Sequence, residues 1–358
     1  MLVDLPTMRR SQLVLATLCR LGLGALGACG GSNPAPAQTV GAPPPSLAAA
    51  PADTASGAPE PPASADLTAG IKAFDAGSYA DARKSFEAAT RKNRGDYEAF
   101  YNLGMACEKL GDKLAAEGAY KSALAVKPDL DAAAAELCAL YLDEGRIDDA
   151  VLVGRAALAK RPASGPLHEN LGVALATHNE QEAAIHEFEE AVKVQPSEAM
   201  FQLTFAHWLN TWHVRGAAAH LDAARELAKD NYGMIASVGH EYRMAGEFES
   251  CVKAFDRTIQ TKDGGEVRTE RALCKLGLKD EKGALEDLQA GVAAEPGYGP
   301  AHYYLGGRLA LAKRFKDAAV EYAKYLEIAP NGSLAKPANE RMKAAQDAAK
   351  TAKGTKKK

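Results

Sequence analysis

Apolar and polar residues follow the period of an amphipathic helix through most of the chain, and this pattern is itself repeated about every 34 residues. One position of the longer repeat holds small residues at steps of 33 or 34: Ala82, Ala116, Ala150, Ala184, Ala218, Cys251, Ala284 and Ala318. Another position holds prolines in the same register: Pro128, Pro162, Pro196, Pro296 and Pro330. A period of this length in a helical sequence predicts stacked helical hairpins, about eight of them in this chain.

Residues 97–130 show one complete copy of the repeat. Gly104, in the predicted first helix, allows a second helix to approach closely, and Tyr120 of that second helix fills the adjacent space. Gly111 allows the backbone to leave the first helix in a tight turn. Pro128 ends the second helix because it has no backbone N–H to donate. The copy therefore predicts a self-consistent pair of helices.

This pattern resembles the tetratricopeptide repeat family, and the resemblance covers roughly residues 63–332. The first helix carries a small residue in eight copies: Gly70, Gly104, Cys138, Gly172, Ala206, Gly239, Ala272 and Gly306. The second helix carries a large residue in six copies: Phe86, Tyr120, Phe188, Phe255, Leu288 and Tyr322. The resemblance implies an all-α solenoid over residues 65–332, a right-handed superhelix of about eight helical hairpins. It also implies a scaffold that binds a protein or peptide segment in its concave groove, and not an enzyme.

Two copies depart from the regular pattern. The copy over residues 199–231 and the copy that begins near Gly265 are each one residue shorter, and both lack the turn glycine. This irregularity predicts either a kink in the superhelix or a specialised contact. After the last copy, residues 333–350 place apolar residues such as Leu334 and Met342 among charged ones, which predicts a helix that caps the final repeat.

Residues 1–29 have the features of an export signal. A pair of arginines precedes an apolar stretch, which ends in Leu26-Gly27-Ala28-Cys29-Gly30. This ending resembles the lipobox of bacterial lipoproteins, and the resemblance implies cleavage before Cys29 and attachment of lipid to its sulfur. Arg20 lies inside the apolar stretch and departs from the pattern, since a charge opposes membrane insertion. The alternatives are a conventional cleaved signal and a membrane-spanning anchor.

Residues 30–64 are dominated by Ala, Pro, Gly and Ser, a composition that cannot form a core and predicts a flexible tether. Its reach as a flexible chain is roughly 30 to 40 Å. A lipoprotein is held in the cell envelope. The residue after Cys29 is Gly30 and not the aspartate that is associated with inner-membrane retention in enteric bacteria. The sequence therefore favours an anchor in the outer membrane, facing the periplasm. Tetratricopeptide lipoproteins help to assemble envelope complexes, so the resemblance implies that role here. The alternative is a soluble cytoplasmic adaptor whose apparent export signal comes from a wrongly assigned start.

Charge and motifs narrow the function further. The formal net charge is −3, which gives no support for nucleic-acid binding, and the basic tail over residues 351–358 is typical of a solvated end. The sequence has no Ser-His-Asp elbow, no His-Glu-x-x-His, no phosphate-binding loop and no Cys-x-x-Cys pair. We therefore expect no catalysis, no cofactor, no metal site and no nucleic-acid partner.

Four cysteines lie in the predicted repeats: Cys107, Cys138, Cys251 and Cys274. Disulfides Cys107–Cys138 and Cys251–Cys274 across repeat boundaries are compatible with an oxidising periplasm. Each cysteine also lies at or near a position that needs a small buried residue, which a thiol fills well. Free buried thiols are the interpretation that the sequence favours.

An irregular copy and its neighbour carry the candidate binding residues. His207 and His240, 33 residues apart, hold equivalent positions in consecutive first helices, and Arg243 follows one turn after His240. By the family resemblance first helices line the groove, so these groups are predicted to receive a peptide carboxylate or an acidic side chain. The rest of the predicted site lies on the same helix as His207: Trp208, Asn210, Thr211 and Trp212. The alternatives are tryptophans in the core with solvated histidines, or a metal or ligand held by the histidines.

Overall fold

The computed structural model describes residues 64–229 and 231–355, with side chains as far as Thr351. Every regular element in these ranges is an α-helix, which confirms the predicted all-α class. In chain order the helices are α1 Ala65–Asp75, α2 Tyr79–Lys92, α3 Tyr97–Lys109, α4 Lys113–Val126, α5 Asp131–Glu144, α6 Ile147–Leu158, α7 Gly165–Thr177, α8 Gln181–Val194, α9 Ala199–Thr211, α10 Ala217–Ala228, α11 Tyr232–Ala245, α12 Phe248–Thr261, α13 Gly265–Gly277, α14 Glu281–Ala294, α15 Gly299–Leu311, α16 Phe315–Ile328 and α17 Ala335–Thr355.

Consecutive helices pack as pairs joined by short turns: α1 with α2, α3 with α4, α5 with α6, α7 with α8, α11 with α12, α13 with α14, and α15 with α16. First helices also contact the first helix of the next pair, as α5 contacts α7 and α13 contacts α15. The chain divides into two compact units within α9, between Thr204 and Phe205. Each unit has its own core, which contains Phe86 and Tyr120 in the first unit and Tyr322 in the second.

A small residue of the first helix lies against a large ring of the second helix in the regular pairs. A methyl group at Gly104 would overlap the ring of Tyr120, which is completely buried. Gly172 and the ring of Phe188 make the same close approach two repeats later. The small and large positions predicted from the repeat are therefore in contact, which confirms the register of the pattern in these copies.

One residue in the turn of every pair has a left-handed backbone: Gly77, Gly111, Gly145, Asn179, His213, Gly246, Lys279 and Lys313. Glycine adopts this conformation freely, whereas other residues are strained in it. The copy over residues 199–231 and the copy that begins at Gly265 lack the glycine, and His213 and Lys279 take the left-handed conformation in its place, as Asn179 and Lys313 do in other copies. The copy that begins at Gly265 has its full length, since α15 starts 34 residues later at Gly299, so the prediction that it is one residue shorter is wrong. The missing residue falls in the connection between α12 and α13, which covers only residues 262–264.

The shortened copy over residues 199–231 differs in its second helix. α10 has 12 residues, compared with 14 in α8, and it starts after Gly216, whose φ is 116°. At the start of this helix Ala217 is buried, whereas Ala218, which continues the sequence register, is partly exposed. The period of the sequence therefore predicts the wrong buried residue at Ala218, because it does not allow for the longer turn between α9 and α10.

α17 packs on α16 at the end of the second unit. Ala338 and Ala345 are buried in that contact, and Leu334 and Met342 lie half-buried against the same core. These are the contacts expected of a capping helix. The helix continues to Thr355, into the range predicted as a basic tail, since alanine and lysine favour helix.

Cys251 in α12 and Cys274 in α13 form a disulfide, with their Cα atoms 6.0 Å apart. Cys107 and Cys138 are free and buried, and burial raises the pKa of the Cys138 thiol to about 12. The prediction of free thiols is therefore correct for Cys107 and Cys138 and wrong for the other two. The disulfide forms because α12 and α13 pack against each other across a repeat boundary, which brings the two sulfurs together.

None of the described helices combines the length and the hydropathy that a bilayer-spanning helix needs. The predictions for residues 1–63, which include the export signal, lipidation of Cys29 and the tether, lie outside the described residues. The same is true of residues 356–358 at the end of the predicted basic tail.

Candidate protein-binding site

The predicted binding residues lie on α9 and α11, in the second unit. His207 belongs to α9, and His240 and Arg243 belong to α11, which is the first helix of the next pair. The structure divides these residues into an interior group around His207 and a partly exposed group around Arg243.

His207 is buried, with 3% of the residue exposed, and forms what we call the inner tie with Glu241 of α11. Its Nδ1 lies 2.9 Å from Glu241 Oε1. Asn210 donates from Nδ2 to the carboxylate and to the backbone carbonyl of Glu241, at 3.2 Å each. Burial disfavours the ionised carboxylate, but the contacts with His207 and Asn210 outweigh it and hold the pKa of Glu241 below its usual value. The inner tie therefore fastens α9 to α11.

Arg243 forms what we call the outer tie with Glu270 of α13. Its Nε donates to Glu270 Oε2 at 2.9 Å. Its Nη2 lies 3.3 Å from His240 Nδ1, which is 3.7 Å from the same Glu270 oxygen. Burial raises the pKa of Glu270, but the neighbouring His240 and Arg243 outweigh that effect and leave it below its usual value. The outer tie links α11 to α13 and stays partly open to solvent, since the side chains of His240 and Arg243 are 40% and 17% exposed.

The two tryptophans have different environments. Trp208 is buried, with 6% of the residue exposed, and the His207 ring meets it edge-on at 5.6 Å between centroids. Trp212 is half-buried, and its ring lies 5.2 Å from that of Trp208. Thr211 is exposed and donates from its hydroxyl to the backbone carbonyl of His207. Trp208 is thus a core residue, while Trp212 keeps a solvent-facing surface.

Glu241 and Glu270 are the residues that the sequence analysis of this site missed. Both are buried or nearly so. Glu241 binds His207 and Glu270 binds Arg243, two groups that were predicted to bind a partner. A sequence signal existed for the inner tie, because Glu241 follows His207 by 34 residues, the repeat length. Residues one repeat apart lie on adjacent first helices, so this spacing places the two residues on neighbouring helices but does not decide whether they face each other. His207 is buried and not solvated, so that part of the alternative interpretation is wrong.

The inner tie leaves one polar atom unsatisfied. His207 Nε2 is buried without a hydrogen-bond partner among the described residues. The described part of the chain has no group of three or more His, Cys, Asp or Glu residues arranged to hold a metal ion.

The family model for the tetratricopeptide repeat matches residues 67–141 and 139–199. These ranges cover α2 to α8 and most of α1, including the contacts of Gly104 with Tyr120 and of Gly172 with Phe188. Residues 67–199 are therefore tetratricopeptide repeats. Among the curated proteins none matches its sequence.

Several solved structures are similar to this chain. Yeast Tom70 is 14% identical, with a TM-score of 0.50 over 78% of this chain and 63% of its own. A tetratricopeptide repeat protein from Parabacteroides merdae is 16% identical, with a TM-score of 0.43 over 77% of this chain and 97% of its own. MamA from Desulfovibrio magneticus is 23% identical, with a TM-score of 0.41 over 46% of this chain and 93% of its own. At these identities the likeness concerns the fold alone.

Proposed function

We propose that this tetratricopeptide protein is a scaffold that binds a segment of a partner protein on the first helices of its second unit. The observation that carries the proposal is the outer tie, a guanidinium held in place beside a half-exposed imidazole on α11. The contacts of Arg243 with Glu270 and His240 involve Nε and Nη2, and an arginine has five N–H donors in a fixed plane. A partner carboxylate therefore has donors to accept from, without displacing Glu270.

The half-buried ring of Trp212 supplies the apolar part of the proposed contact. Tryptophan and arginine are the residues that most often dominate binding energy at protein interfaces. Glu270 fixes the guanidinium before binding, so less side-chain entropy is lost when the partner docks. We expect the bound segment to be extended or helical and to carry an acidic or terminal carboxylate beside an apolar residue.

We further propose that the scaffold acts in the bacterial envelope, anchored through lipid on Cys29 and a tether over residues 30–64 to the outer membrane, facing the periplasm. A tether of this kind raises the local concentration of membrane-associated partners, which suits the assembly of an envelope complex. The Cys251–Cys274 disulfide favours this location over a cytoplasmic adaptor, because disulfides persist in oxidising compartments.

The binding surface is tested first by crosslinking in the native cell. A photoreactive amino acid replaces Trp212 in one variant and Leu152 in a control variant. Leu152 is exposed on α6, which is the second helix of its pair and lies in the first unit. We expect a discrete crosslinked partner from position 212 and not from position 152. Equal crosslinking from both positions would count against the proposed surface.

The role of Arg243 is then measured with the crosslinked segment of the partner. We expect Arg243→Ala to weaken binding by about tenfold or more, which corresponds to roughly 1.4 kcal/mol. Arg91→Ala is the matched control, because Arg91 is an exposed arginine paired with a glutamate in the first unit. Circular dichroism checks that each variant stays helical. Unchanged affinity in folded Arg243→Ala would contradict the proposal.

A further inference from the structure

One sequence motif occurs twice in the chain, 134 residues apart (302 − 168 = 134). It has the form Pro-x-x-Gly-Pro-x-His and covers residues 162–168 and residues 296–302. In both places a glutamate follows the histidine by 19 residues: Glu187 and Glu321. The first copy lies in the first unit and the second copy in the second unit.

The two histidines make the same pair of contacts. His168 Nδ1 lies 2.6 Å from Glu187 Oε2, and its Nε2 lies 2.8 Å from the backbone carbonyl of Pro162. His302 Nδ1 lies 2.6 Å from its glutamate oxygen, and its Nε2 lies 3.0 Å from the carbonyl of Pro296. Both histidine residues are buried, with 8% and 4% exposed. We call each arrangement of histidine, glutamate and proline carbonyl a clamp.

Each clamp ties three parts of its helical pair together. His168 lies in the second turn of α7, its glutamate lies in α8, and Pro162 lies in the turn before α7. His302 joins α15, α16 and the turn before α15 in the same way. At the equivalent positions one and two repeats before His168 stand Ala134 and Phe100, which have no imidazole to form a clamp.

The chemistry of a clamp requires one proton more than a neutral ring provides. A carbonyl oxygen and an ionised carboxylate are both acceptors, so both ring nitrogens must carry protons to satisfy them. The proton between Nδ1 and the glutamate can instead reside on the carboxyl group. The histidine and glutamate together then still hold the same number of protons. Loss of that proton leaves one ring nitrogen as an acceptor in close contact with another acceptor, either the carboxylate or the proline carbonyl, which is unfavourable for a buried group.

We propose that the two clamps are acid-strengthened locks, one in each unit, which hold the start of a first helix to its second helix and weaken as pH rises.

The charges around each ring support this inference. For His168, burial opposes the charged ring, but hydrogen bonds to Glu187 and to the Pro162 carbonyl outweigh it and raise its pKa above the usual value. Glu190 of α8 also favours the charged form, although it is paired with Lys193.

For His302, the bond to Glu321 is the largest influence and raises its pKa, against burial and the nearby Lys324 of α16. Because the folded-state pKa of each ring lies above its ordinary value of about 6.5, the stabilisation is complete below that pH. It is then lost as pH rises through the pKa of the folded protein.

The first test observes the rings directly in the folded protein. Histidine labelled with ¹⁵N reports the protonation of each ring nitrogen between pH 5 and 9. We expect His168 and His302 to keep both nitrogens protonated above a pH of about 6.5, the ordinary pKa of histidine. Titration of both rings at or below that pH would overturn the proposal, and this measurement needs no destabilising variant.

The second test measures thermal unfolding of His168→Gln, His302→Gln and the control His186→Gln across the same pH range. His186 is an exposed histidine on α8. We expect each clamp variant to unfold roughly 2 to 4 °C below the wild type at pH 5.5, and the gap to narrow above the pKa of the folded ring. The control is expected to follow the wild type at every pH. A gap that does not change with pH would show that the histidines act through packing alone, and would overturn the lock.

Discussion

Gly104 lies where α3 comes closest to α4, because the ring of Tyr120 fills the space that a side chain would need. Gly118, in the middle of α4, is the opposite case, since a methyl group there would meet nothing within 4 Å. Both are glycines inside helices, so both lower the stability of their helix relative to alanine by a similar amount, and they differ only in their surroundings. A comparison of the two isolates the effect of close helix packing.

We predict that Gly104→Ala destabilises the protein by about 1 to 3 kcal/mol, because the Tyr120 ring must move out of a well-packed core. Gly118→Ala is expected to stabilise it by about 0.5 to 1 kcal/mol, because alanine favours helix. The free energies of unfolding from urea titrations check both changes. The packing argument fails if the two substitutions shift stability in the same direction.

At the residue scale the sequence predicts contacts that the repeat itself encodes. Gly104 and Tyr120 occupy fixed positions of the repeat, so their contact follows from the period alone. The inner tie between His207 and Glu241 does not follow in this way, because a polar pair can face either solvent or the neighbouring helix, and sequence period does not decide which. The clamps, in contrast, have a sequence signal, because the Pro-x-x-Gly-Pro-x-His motif occurs twice in the sequence.

At the scale of helices, the second unit is held by covalent and ionic links across repeat boundaries as well as by apolar packing. The disulfide joins α12 to α13, and the outer tie joins α11 to α13. Both links reach α13, which follows the shortened connection over residues 262–264. The sequence indicates that two cysteines lie on consecutive helices, but pairing depends on the relative rotation of those helices, which spacing does not specify.

We predict that the double variant Cys251→Ala with Cys274→Ala loses about 3 kcal/mol of stability, the amount expected for a closed loop of this size. Thermal unfolding with and without a dithiol reductant, given time to reduce the buried bond, is the measurement. We expect the reductant to lower the midpoint of the wild type and to leave that of the variant unchanged.

Cys138→Ala is the control for the disulfide, because Cys138 is a free buried cysteine whose loss leaves the bond intact. It should keep the wild-type response to the reductant. A wild type whose midpoint is unaffected by prolonged reduction, with both thiols shown by alkylation to be free, would contradict the disulfide.

At the scale of the whole molecule, the repeat period determines the fold class, because each helical pair needs its neighbours to bury its apolar surface. The location of the protein is a separate matter that the helical pairs do not encode. It rests on residues 1–64, where the lipobox-like ending at Cys29 and the tether give the argument for the envelope. A direct chemical measurement on that segment therefore carries more weight than any property of the folded repeats.

We predict that the protein purified from its own membranes has an intact mass that lacks residues 1–28 and includes acyl chains on Cys29. Cys29→Ala should block lipid attachment, because it removes the sulfur that would carry the lipid. Cys19→Ala, which changes the other cysteine of the same segment, should leave processing as it is in the wild type. A full-length, unlipidated chain in the soluble fraction would exclude the membrane anchor and make a cytoplasmic adaptor the better account. The disulfide would then need a different explanation, because the cytoplasm keeps most thiols reduced.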